Sequence, residues 1–175
     1  KEGVAQTIAA YGIYIGGLVA HTASIGGPGL NEGNIIIHDK VTFTSGTNLW
    51  IGGIGGLFTN SVKNCTNKGD IIYNASATLT GDNFFMGGGA GRYEGSAFEN
   101  ITNEGNVTFN GGSSKALCIG GCSGYSPSAT VTDIHNCGVV TVGKDSQCIQ
   151  STYLGGVFGY SKGGTLTRVS TSNKE

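Results

Sequence analysis

Charge is the scarcest commodity in this chain of 175 residues: only 12% of it is Asp, Glu, Lys or Arg, where an average globular domain has about 25%. Ten basic residues against eleven acidic ones leave a formal net charge of -1, and no two Lys or Arg residues are adjacent. Without a basic stripe, nucleic acid and anionic membranes are excluded as natural partners. No apolar run approaches the roughly 20 residues that span a bilayer, so this segment does not insert into a membrane. Proline occurs twice and Trp once, and no helical period persists over three turns. The opening Lys1-Glu2-Gly3-Val4 has none of the segments of a signal peptide, and the sequence stops partway through a repeat. The expectation is one repeat domain, 1–175, cut from a longer surface protein.

Glycine is what the chain has instead, 33 residues of it, interleaved with Ile, Val, Tyr and Phe that never thin out as they do in disordered chains. The glycine pairs Gly16-Gly17, Gly52-Gly53, Gly87-Gly88, Gly120-Gly121 and Gly155-Gly156 stand 36, 35, 33 and 35 residues apart. A second block follows each of the first four pairs: Asn31-Glu32-Gly33, Asn67-Lys68-Gly69, Asn103-Glu104-Gly105 and Asn136-Cys137-Gly138. Two blocks on one period mark an internal repeat, with units near 13–48, 49–83, 84–116, 117–151 and 152–175.

Asn-X-Gly followed by β-branched residues reads as a turn, its Gly at positive φ, that launches a strand. The strands so launched are Ile35-Ile36-Ile37, Ile71-Ile72-Tyr73, Val107-Thr108-Phe109 and Val139-Val140-Thr141-Val142, with further short strands at Val41–Thr44 and Ala77–Thr80. A unit of this size buries its apolar face only by stacking on the next. The predicted fold is therefore all-β, a right-handed β-solenoid of about four and a half turns. A β-propeller has longer blades, about 40 to 50 residues, and a sandwich leaves the repeat unexplained. In the stack, Asn31, Asn67, Asn103 and Asn136 form an amide ladder that satisfies buried backbone groups of neighbouring turns. The glycine pairs mark bends or close approach between turns. Raw edges at both ends call for caps, adjoining domains or subunits.

The stretch Gly155-Gly156-Val157-Phe158-Gly159-Tyr160-Ser161-Lys162-Gly163-Gly164-Thr165-Leu166-Thr167 resembles the GLUG repeat, and Asn64-Cys65-Thr66-Asn67-Lys68-Gly69-Asp70-Ile71 resembles the Asn/Cys turn that closes such repeats. The resemblance covers the chain from about Ile13 onward. It implies an exported, adhesin-like or spacer module of bacterial (Bacteroidetes-type) cell-surface proteins and carries no catalytic residues. Gly89-Ala90-Gly91-Arg92 and Gly121-Cys122-Ser123-Gly124 depart from its aliphatic pair, His21 stands in place of its Tyr, and Gly26-Gly27-Pro28-Gly29 replaces its Asn/Cys element in the first unit.

Little in the sequence points to chemistry. His21, His38 and His135 occupy unrelated repeat positions, and no Gly-X-Ser-X-Gly elbow joins a strand to a helix. Cys65, Cys118, Cys122, Cys137 and Cys148 form no Cys-X2-Cys pair and read as small buried hydrophobes, with one disulfide left open. A carbohydrate-active β-helix, either a polysaccharide lyase or a glycoside hydrolase, is the enzyme alternative; the hydrolase needs two carboxylates about 5 to 9.5 Å apart, and Glu99 and Asp133 do not share a column. Asn34, Asn67 and Asp70 offer oxygens for calcium, but a structural Asn ladder accounts for them. No cofactor or metal is expected. The glycosylation sequons at Asn64, Asn74, Asn100 and Asn106 follow from how common Asn and Thr are in these turns.

One column remains. Tyr14, Trp50, Phe85 and Tyr153 precede the glycine pairs at equivalent positions. They are either a stacked core stripe or an exposed platform for sugar rings; the aliphatics and glycines that follow favour the core. The function expected is a non-catalytic, extracellular structural or adhesive module, a spacer or a binding surface for protein or glycan. A dedicated glycan-binding module is the other alternative.

Overall fold

A computed structural model of the protein describes residues 6–76, 78–127 and 129–172. Among the described residues there is no helix; the chain winds as a β-solenoid whose strands pair in parallel, each with its counterpart one turn away. Five turns are present, because three of the sheets carry five strands.

Each of the first four turns visits four sheets in order, and the fifth contributes strands to the first three. Sheet I stacks Gly12–Gly16, Asn48–Gly52, Phe84–Gly87, Leu117–Gly120 and Thr152–Gly155. Sheet II follows the glycine pairs with Val19–Thr22, Gly55–Phe58, Ala90–Tyr93, Ser123–Ser126 and Phe158–Ser161. Sheet III comprises Gly29–Asn31, Ser61–Asn67, Ala97–Asn103, Ala129–Asn136 and Gly164–Thr171. Sheet IV is made by the β-branched triplets Ile35–Ile37, Ile71–Tyr73, Val107–Phe109 and Val140–Val142. Val41–Phe43 also forms a strand, paired with Gln6–Ile8. Of the strand expected at Ala77–Thr80, Ala77 lies outside the described residues and only Leu79 bridges a neighbour, Ser113. Lys1 and Glu175, the ends expected to need caps, also lie outside the described residues.

Two apolar cores run the length of the stack. Between sheets I and IV lie Leu49, Ile51, Phe84, Met86, Tyr73 and Phe109; between sheets II and III lie Phe58, Val62, Tyr93, Phe98, Ile101 and Ile134. The Asn ladder crosses the interior between them. The side-chain amide of Asn31 donates to Oδ1 of Asn67 (2.7 Å), Asn67 to Asn103 (2.8 Å) and Asn103 to Asn136 (2.8 Å). Each amide also donates to a carbonyl of its own turn, Gly33, Gly69, Gly105 or Gly138. The backbone groups it satisfies therefore belong to its own turn, and amide-to-amide bonds tie one turn to the next.

The Asn-X-Gly glycines do not adopt positive φ, contrary to the expectation from turn chemistry. Space, not conformation, demands those after the first turn: a Cβ on Gly69 or Gly105 would lie 2.0 Å, and on Gly138 1.9 Å, from the carbonyl oxygen of the glycine one turn earlier, whereas Gly33 has room. Positive φ instead falls at Asn64 (57°), Asn100 (51°), Asp133 (57°) and Arg168 (50°), one column that bends each sheet III strand midway. Asn and Asp tolerate that conformation better than most residues. Pro28 holds the same position in the first turn, and its ring fixes φ near -65°; there the strand begins only at Gly29.

Candidate functional site

Alternation along sheet I sends Leu49 and Ile51 into the core and Trp50 out of its other face. The register places Tyr14, Trp50, Phe85, Cys118 and Tyr153 in one outward column, so the aromatic series has a cysteine at its fourth position. Sheet II presents its own column, His21, Leu57, Arg92, Tyr125 and Tyr160. The two columns meet in a lengthwise seam, a third cluster separate from both cores.

Glycines bring the sheets this close. A Cβ on Gly91 would lie 2.6 Å from the backbone nitrogen of Ile51, on Gly124 2.4 Å from that of Met86, and on Gly159 2.4 Å from that of Ile119. Each sheet II strand thus rests on the sheet I strand one turn earlier. Tyr125 follows the same offset, stacking on Phe85 with centroids 4.7 Å apart and an interplanar angle of 14°. Arg92 lies over both rings, 5.7 Å and 5.3 Å from their centroids, and pairs with Glu94. Along the columns, Tyr14 stacks on Trp50 (4.7 Å, 8°) and Tyr125 on Tyr160 (5.4 Å, 4°).

The four residues named from the sequence therefore share one seam but not one environment. Trp50 and Phe85 are 7% and 6% exposed, whereas Tyr153 is 39% exposed and Tyr14 partly buried. Tyr14, one turn earlier in the same column, covers one face of the Trp50 ring. The sheet II half of the seam escaped sequence reasoning, although Gly-Leu, Gly-Arg and Gly-Tyr recur at Gly56, Gly91, Gly124 and Gly159 and could have revealed it.

Elsewhere, polar groups serve the stacking of turns. Oδ1 of Asn34 accepts from the Asp70 backbone (2.8 Å), and Oδ1 of Asp70 accepts from the Asn106 backbone (2.7 Å), so the oxygens considered for calcium are engaged between turns. Among the described residues, no group of three or more His, Cys, Asp or Glu is arranged to hold a metal ion. Glu99 pairs with Lys63 (2.6 Å) and Glu32 with Lys68 (3.4 Å). Asp133 takes a two-pronged contact from Arg168, whose hydrogen bonds hold its carboxyl below the usual range.

His135 contacts Ser170 and Ser172, and His21 stacks on Tyr14. Asn100 donates to Asn64, and Asn110 to Asn74. All five cysteines are free thiols. Burial raises the pKa of Cys65 and Cys122 and takes Cys118 up to about 11, so these thiols stay protonated at neutral pH.

In comparisons with protein-family models, with curated proteins and with solved structures, no match to this chain is found.

Proposed function

We propose that the chain is a non-catalytic repeat module of an exported cell-surface protein, a spacer that also offers a binding surface to protein or glycan partners. The observation that carries this reading is the allotment of polar groups. The buried Asn ladder, the Asn34 and Asp70 acceptors and the Glu–Lys and Asp–Arg pairs all join one turn to another. Such a stack transmits contact along its length, as a stalk must.

Other features favour this over a polysaccharide lyase or glycoside hydrolase. A general acid needs a raised pKa, and Asp133 is shifted in the opposite direction by Arg168. Glu99, the other acid weighed for that role, is paired with Lys63. The GLUG-like blocks agree with export and surface display, and the reading requires no cofactor.

Protease shaving and antibody labelling of intact cells that make the protein test this proposal, together with an assay for new sugar ends on a polysaccharide panel. Surface labelling without cleavage is expected. Labelling confined to lysed cells, or sugar release lost on Asp133→Asn, would overturn it.

A further inference from the structure

Tyr160 has no sheet I ring one turn beneath it in the seam. Tyr125 stacks on the sheet I residue one turn earlier, Phe85; for Tyr160 that residue is Cys118, too short to reach a ring. An open cleft of about 260 Å³ results, lined by Phe85, Cys118, Tyr125, Tyr153, Tyr160 and Lys162. It falls below the roughly 300–1,000 Å³ of pockets for drug-sized ligands, a size suited to one ring.

Resting on the reading of the chain as a surface module, we propose that this cleft binds a single pyranose residue of an acidic glycan, a uronate, with its carboxylate at Lys162. Tyr153 and Tyr160 meet edge to face (5.1 Å, 73°) and make a corner of two aromatic walls. Aromatic walls pack against the apolar faces of a sugar ring. Among the described residues, the hydroxyls of Tyr125, Tyr153 and Tyr160 make no hydrogen bond, so three phenols remain to meet ring hydroxyls. The buried, protonated Cys118 thiol keeps the floor uncharged.

Charge selects the acid. Lys63, Lys68, Arg92, Lys115 and Arg168 each pair with a carboxylate. Lys162, exposed, lines the cleft and, like Lys40 and Lys144 elsewhere, has no such partner among the described residues. A ligand carboxylate supplies the missing charge.

The experiment titrates the folded chain calorimetrically with galacturonate and glucuronate trisaccharides and with a neutral galactose trisaccharide. Saturable one-to-one binding of a uronate is expected, with the neutral sugar roughly tenfold weaker or more. Cys118→Phe, which fills the cleft, and Lys162→Gln are each expected to weaken uronate binding by roughly tenfold or more, while Lys40→Gln, exposed in the first turn, leaves it unchanged. Should Cys118→Phe fail to fold, Lys162→Gln and Tyr153→Ala decide, both at exposed positions. No saturable binding by the parent, equal binding of the neutral sugar, or undiminished binding by the folded variants would overturn the proposal. Such a result leaves surface display untouched, because that is read on whole cells.

Discussion

Gly88 and Asn103 compete for one small volume: a Cβ built on Gly88 would lie 2.1 Å from Cγ of Asn103. The same seat recurs at Gly53 against Asn67 and at Gly121 against Asn136, both at 2.3 Å. In the first four pairs the second glycine admits the amide of the following turn block. The two blocks of the repeat are thus halves of one contact across the interior.

Gly88→Ala forces the Asn103 amide out of its ladder and is expected to cost about 3 kcal/mol, the upper end for an overpacked interior. Gly156→Ala is the control, since its nearest neighbour is Thr171 at 3.5 Å, an ordinary contact. Urea unfolding of the two variants should separate a large loss from almost none.

Removing an amide from the middle of the ladder should hurt more than removing one from its start. Asn103→Ala leaves the Asn67 amide without its acceptor, Asn136 Oδ1 without its donor and the Gly105 carbonyl unpaired, at about 1–3 kcal/mol per orphaned group. Asn31 bonds only one ladder neighbour, Asn67. Chemical denaturation with a shared slope should place Asn31→Ala well above Asn103→Ala in stability.

Although it faces away from both cores, Trp50 is nearly enclosed, and Trp50→Ala is expected to cost about 3–5 kcal/mol. Ile51→Ala, in the core, should cost about 2–5 kcal/mol, while Tyr153→Ala should stay within about 1 kcal/mol at its exposed position. Thermal melts of the three variants check the assignment. A Trp50→Ala protein as stable as the parent would show that the seam contributes little to folding.

The pair of Asp133 with Arg168 gives a pH dependence of known sign. Its folded-state pKa is lowered, so its contribution is present above the unfolded value of about 3.9 and is lost as pH falls through the folded one. Asp133→Asn keeps a residue tolerant of positive φ at that position. The stability gap between parent and variant should therefore be full at pH 7, shrink below pH of about 4, and narrow with added salt.

The period and the β-branched triplets made the solenoid legible, because strand stacking depends on what repeats. Arrangements across the interior were less so. The register of sheet II depends on glycines at Gly91, Gly124 and Gly159 that look like flexible loop residues until a second backbone is seen beneath them. The midway bends were hidden for a related reason: Asn64, Asn100, Asp133 and Arg168 share a backbone conformation but not a residue type. Trp50 shows the limit of alternation, which gives a side chain's face but not what covers it.

The buried amides all donate toward the C-terminal turn, from Asn31 through Asn67 and Asn103 to Asn136. The outer amides run the other way, Asn100 to Asn64 and Asn110 to Asn74. Each buried amide polarises the next in the same sense, giving the stack an electrical head and tail. The counter-running outer pairs oppose that dipole, and a turn inserted upside down would face donor with donor.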